Sequence, residues 1–129
     1  MVKVIPPRLV EPYLAGQRSV IAGYVYRASD CSFRTPADYY QALALGYEGS
    51  EFSAGMAELF VLRWIALDMS ASLVAGPRAS GSPVSVIPEF FTLPVPIPVG
   101  AEMGRVTFGG EEFIGRYDGQ VWLRPLREA

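Results

Sequence analysis

Six side chains in this 129-residue chain have the types needed to grip a small molecule. Tyr26 and Arg27 close one apolar stretch, Tyr40 sits in a second, and Glu58, Arg63 and Trp64 share a third. Guanidinium groups bind anionic groups through a fixed fork of N–H donors, and tyrosine and tryptophan rings supply apolar walls with a polar tip. Arg63 is the most informative of the six. It stands in Phe60-Val61-Leu62-Arg63-Trp64-Ile65, where an unpaired buried charge would not be tolerated. Two readings follow. Glu58, Arg63 and Asp68 all lie at rims with their heads in water, or at least one of them lines a polar cavity. In the second reading Arg63 either pairs with a carboxylate or anchors an anionic ligand group, with Trp64 and nearby tyrosines as walls.

Other chemistry is excluded by what the chain lacks. There is no histidine, which removes Ser-His-Asp and Cys-His catalysis and histidine metal ligands. Cys31 is the single cysteine; it reads as a structural thiol, with no partner for an internal disulfide or a zinc cluster. Lys3 is the only lysine, and its place in a terminal segment argues against Schiff-base chemistry. No metal spacing, phosphate loop or dinucleotide fingerprint is present, so neither a metal nor a cofactor is expected. The net charge of -2 and pI near 5.1 speak against nucleic acid as a partner. The first ten residues, broken by Pro6 and Pro7, do not read as a signal peptide, and a cytoplasmic protein is expected.

The elements that must position these side chains can be read from pattern. Ser53 to Gly76 lies within the longest run without proline. Helix formers, an early Glu58 and a Gly76-Pro77 stop predict a long central helix. Because it is apolar on nearly every side, it should be a core helix, and the three charges within it argue against a membrane span. Thr35-Pro36-Ala37-Asp38 is a helix start, with Thr as cap and Pro at the first position. That helix is expected to run to about Leu45 and to form a hairpin with the central one.

Residues 2–5 suggest a short edge strand ended by Pro6-Pro7, and Arg18 to Ala28 a strand. Pro94-Val95-Pro96-Ile97-Pro98-Val99 is expected as an edge strand or polyproline segment, serving either as a rigid crossover or as a docking arm. Gly104 to Arg124 predicts a three-stranded meander turning at Gly109-Gly110 and Asp118-Gly119. Its expected registers put Phe108 opposite Glu111, Val106 opposite Phe113, Tyr117 opposite Gln120 and Gly115 opposite Trp122. Val106, Phe108, Phe113, Tyr117 and Trp122 would then share the face that packs on the helix. The fold class is therefore α+β. One domain over residues 1–129 would carry an antiparallel sheet, made of this meander plus an N-terminal strand, packed on a two-helix unit. The surplus of apolar faces predicts a homo-oligomer.

The Tyr26-Arg27 pair at a strand end, with Glu111 and Glu112 late in the chain, resembles ADP-ribosyltransferases over about six residues. The resemblance implies an arginine that holds NAD phosphates and a glutamate that stabilises a ribosyl cation. This chain has no visible counterpart of the family's Ser-Thr-Ser strand, and its two glutamates are adjacent. Three function classes result. The first is a non-enzymatic module that binds a small apolar or aromatic ligand between sheet and helices and associates with itself. Arg27, Glu58, Arg63, Trp64, Tyr26 and Tyr40 are its candidate binding residues, and a pocket of about 300 Å³ or more would favour it. The second is a histidine-free enzyme of the ADP-ribosyltransferase kind. The third is a structural subunit of a phage-type assembly.

Overall fold

The computed structural model describes residues 1–47, 49–65, 73–75, 85 and 87–125, with backbone alone at 73–75. The fold is α+β, with two antiparallel sheets and short helices. The larger sheet runs in the order β1 (Val2–Ile5), β3 (Glu58–Arg63), β6 (Glu102–Thr107), β7 (Gly110–Tyr117) and β8 (Trp122–Leu123). The smaller one runs β2 (Val20–Val25), β5 (Phe90–Pro96), β4 (Leu73–Ala75). The helices are α1 (Val10–Leu14) and α2 (Pro36–Ala42). No helix of the described residues is long and apolar enough to cross a membrane.

The long central helix is not seen. Its described part, residues 53–65, holds a turn and then strand β3; residues 66–72 and 76 lie outside the described residues. A continuous apolar run is compatible with a buried helix or a buried strand, and periodicity alone does not separate them. Tertiary pairing decides here. β3 bonds to β1 on one side and β6 on the other, with Val61 opposite both Val4 and Gly104. Strands covered on both faces lose the alternation of polar and apolar residues, so Leu59-Phe60-Val61-Leu62 looks helical in sequence yet feeds two cores by alternation.

Those cores lie on opposite faces of the larger sheet. One gathers Val2, Val4, Leu59, Val61 and Val106 with Tyr39 and Leu43. Tyr39 belongs to α2, so this helix covers that face. The other gathers Ile5, Phe60, Leu62, Trp64 and Met103 with Tyr13 of α1 and Ile21 and Val25 of β2, so the smaller sheet and α1 cover it. The two-helix unit expected on one face is thus replaced by one helix on each side.

α2 begins as its sequence predicts. Thr35 accepts from the Asp38 N–H, and the Asp38 carboxylate accepts from the Thr35 N–H, closing a capping box. The helix ends at Ala42 rather than Leu45, because Ala44 takes a left-handed φ of 52° that no helix tolerates.

The C-terminal meander is present, with shifted registers. Val106 lies opposite Glu111 and Gly104 opposite Phe113, so the first turn is Phe108-Gly109 rather than Gly109-Gly110. Tyr117 lies opposite Trp122, and the Asp118 carboxylate accepts from the Gln120 and Val121 N–H groups to form the second turn. A bulge between Met103 and Gly104 divides the face expected to be continuous. Val106 and Trp122 fall in different cores, and Phe108 is left 65% exposed.

Pro94 and Pro96 stand in β5, the middle strand of the smaller sheet, where proline is not expected. Among the described residues β4 pairs only with residues 90–92 of β5, so both prolines stand beyond that described pairing, where no ladder bond to β4 is required of them.

Candidate functional site

Arg63 ends β3 on the α2 face of the larger sheet. Its Nη2 donates to Glu111 Oε1 at 2.5 Å and to the Tyr39 hydroxyl at 3.2 Å, and its Nε donates to Glu111 Oε2 at 3.3 Å. Burial works against the charge, but the bonds to Glu111 and Tyr39 outweigh it and hold the guanidinium above its ordinary value. Gly104 makes this possible. A Cβ there would stand 3.1 Å from the Glu111 carboxyl, so a side chain at this position would press on the glutamate where it lies across β6 to reach Arg63. The hollow beside the pair, about 170 Å³, is lined by Arg63, Glu102, Met103, Gly104, Glu111 and Phe113. Its charges are mutually spent, since Glu102 is also paired, with Arg116.

The remaining expected residues scatter. Glu58 pairs with Arg105. Trp64 is buried in the core on the opposite face, its indole N–H without a hydrogen-bond partner among the described residues, and so is no wall for Arg63. Arg27 is exposed; it pairs with Asp30 at 2.9 Å and lies over the Phe90 ring. Glu111 and Glu112 are engaged by Arg63 and Arg105, so Arg27 and these glutamates sit in separate ion pairs. Tyr40 packs behind the α2 face and spans Gly46, where any Cβ would collide with its ring. Cys31 is buried, and that burial pushes its thiol up to about 11, with Asp30 adding and Arg63 opposing. It is no thiolate nucleophile at neutral pH.

A second hollow has a different character. β1 and β2 touch through one bridge, in which Val2 and Tyr26 exchange N–H···O bonds of 2.7 and 2.8 Å. From that bridge the strands belong to different sheets. A bulge between Ile21 and Gly23 turns β2 toward β5. The opening is a cleft of about 170 Å³ lined by Lys3, Val4, Gly23, Tyr24, Tyr26, Leu45, Tyr47 and Phe52. Gly23 adopts a φ of +94°, and a Cβ there would stand 3.4 Å from the Lys3 Nζ. The Lys3 ammonium therefore lies directly against the bare backbone at Gly23. Tyr40 braces Leu45 and Tyr47 of the outer wall through Gly46. Tyr26 donates its hydroxyl proton to Glu89 at 2.6 Å, and Tyr24 meets Phe91 edge-to-face at 5.5 Å. Tyr24 and Tyr26 are thus held in place, and Phe52 packs against the α2-side core.

Lys3 has no hydrogen bond or ion pair among the described residues. Burial, with the Arg18 charge adding to it, pulls its amine down to about 8 from the ordinary value of 10.5. Arg18 itself has a buried Nε without a hydrogen-bond partner among the described residues and lies over the Tyr13 ring. Lys3 stands in a terminal segment of the sequence, yet β1 is paired along its whole length with β3. Two signals in the sequence point to the cleft. Lys3 interrupts the apolar Val2-Lys3-Val4-Ile5, and Gly23 interrupts a strand, which marks a bulge or a close approach.

Among the described residues no three His, Cys, Asp or Glu side chains come together as metal ligands. Comparison with family models, with curated proteins and with solved structures finds no match to this chain.

Proposed function

We propose that the protein is a small-molecule binding module whose ligand is a single aromatic ring seated in the cleft between β1 and β2. The observation that carries this reading is the set of four rings, Tyr24, Tyr26, Tyr47 and Phe52, around a cavity of about 170 Å³. That volume is below the usual range for drug-sized ligands. It suits one ring, since a cavity of about 150 Å³ lined by apolar side chains is known to take benzene. The site lies at a junction of two sheets rather than between sheet and helices, and of the six residues singled out by sequence only Tyr26 lines it.

The test is thermal denaturation with a panel of single-ring compounds, neutral and charged. A ligand at a hundredfold excess over its dissociation constant stabilises by about 2.7 kcal/mol, a shift of several degrees for a domain of this size. Tyr47→Ala and Phe52→Ala should abolish it. Absence of any shift across the panel would remove the reading.

The enzyme alternative receives less support, because Arg27 is held by Asp30 and the late glutamates by other arginines. Self-association has one observation in its favour. Phe91 and Leu93, alternate residues on one face of β5, are 38% and 65% exposed, and exposed apolar strand faces favour a covering partner. Light scattering should give a mass of at least twice the 14.1 kDa of the chain, lowered by Leu93→Glu.

A further inference from the structure

Among the described residues most positive charge is matched. Arg8, Arg27, Arg63, Arg105, Arg116 and Arg124 each have a carboxylate within ion-pair distance. Arg34 has none but is exposed to water; Lys3 and Arg18 have none and are not. They lie close enough for the Arg18 charge to act on Lys3, both are partly buried, and among the described residues no carboxylate pairs with either. Two like charges withdrawn from water without a counter-ion are costly, and an arriving anion relieves both. Lys3 reaches the cleft that the rings enclose; Arg18 does not line it and contributes positive potential only.

The geometry points to a single-ring aromatic carboxylate as the ligand of this cleft, its carboxylate held by the Lys3 ammonium and its ring by Tyr24, Tyr26, Tyr47 and Phe52. The inference rests on reading the cleft as a ligand pocket. Charge count selects a monoanion. A phosphate is usually met by several donors or a guanidinium fork, whereas this cleft presents one ammonium, and its remaining lining side chains are aromatic or aliphatic. Size selects one ring, as above. Specificity would come from the charge. A neutral ring of the same shape leaves the ammonium without a counter-charge in a partly buried site, and a missing charged partner is penalised more than a missing neutral one.

Calorimetric titration of the full chain with benzoate and with benzamide, its uncharged isostere, tests this. Benzoate should bind about tenfold tighter or more at neutral pH, as expected for a charge-assisted bond. In Lys3→Met benzoate should lose that advantage over benzamide. From about pH 7 to about pH 9 benzoate affinity should fall about tenfold as Lys3 loses its proton, and that of benzamide should stay level. The other ionisable groups around the cleft are Tyr24, Tyr26, Tyr47, Glu89 bonded to Tyr26, and Arg18 beyond.

If Lys3→Met does not fold, the wild-type chain supplies a second readout. With isotope-labelled lysine the chain gives one side-chain signal. Saturating benzoate should raise its titration midpoint, and benzamide should not. Benzamide binding as tightly as benzoate would overturn the inference and leave the aromatic pocket standing. Binding of neither would overturn both.

Discussion

Arg63 and Lys3 stand on neighbouring strands of one sheet, one pairing position apart: Arg63 lies opposite Val2, and Lys3 opposite Leu62. Strand alternation sends them to opposite faces. On the α2 face, β7 brings Glu111 from 48 positions away and Tyr39 adds a hydroxyl, so the Arg63 charge is consumed inside the fold. Lys3, on the edge strand β1, meets the bare backbone of Gly23 and aromatic rings, of which Tyr26 and Phe52 belong to the α2-side cluster, and no described carboxylate pairs with it. A charge in the middle of an apolar run looks like the one reserved for function, and a charge near a terminus looks solvated. The two sites reverse that expectation. What makes a cation available to a ligand is whether distant strands bring it a carboxylate.

The largest expected effect that would sharpen this contrast is on stability. Folded Lys3 titrates near 8 and its unfolded value is near 10.5. Between those pH values the unfolded chain holds more protons, so stability rises with pH across that window, and below it the full cost of the buried charge is present. Lys3→Met should therefore stabilise the protein at pH 7 by up to about 3 kcal/mol, with the gain fading above about pH 10. Urea denaturation at several pH values measures it. A destabilised variant with flat pH dependence would mean that Lys3 is satisfied, and the contrast with Arg63 would vanish.

Removing the partner of Arg63 should act in the opposite direction and more weakly. The two side chains are 30% and 39% exposed, so water screens the loss, and Glu111→Ala should cost about 1–2 kcal/mol rather than the 3–5 of a fully buried pair. Arg63→Met combined with Glu111→Ala should recover most of it. Unchanged denaturation of Glu111→Ala would show that the bond to Tyr39 suffices for Arg63.

The smallest effect concerns Gly23. Its φ of +94° is strained for any L-residue, so Gly23→Ala should cost about 1 kcal/mol. The added methyl also displaces water near the ammonium, so the Lys3 midpoint should drop below about 8. A midpoint that rises would place the amine away from Gly23.

Chain-local physics explains which parts were legible. The Thr35–Asp38 capping box, the edge strand halted by Pro6-Pro7 and the existence of the C-terminal meander each depend on residues a few positions apart, and each stands where the pattern put it. The α+β class follows from them. The absence of histidine and the single cysteine and lysine are equally matters of sequence, and they bound the chemistry whatever the fold.

Tertiary structure decided the rest. Leu59 to Leu62 became a strand because β1 and β6 offered hydrogen bonds on both sides and both faces had covers. No local propensity reports such partners. Next to the first turn the meander register shifted by two because the turn settled on Phe108-Gly109, and a shift of two keeps those side chains on their faces, so alternation could not detect it; the bulge between Met103 and Gly104 then moves the rest by one. The candidate site is the extreme case. Lys3, Gly23, Tyr47 and Phe52 come from four separate segments, and the property that matters is that no carboxylate among the described residues pairs with Lys3. An absence of charge at one point in space depends on where every other strand goes, and only the folded chain contains that information.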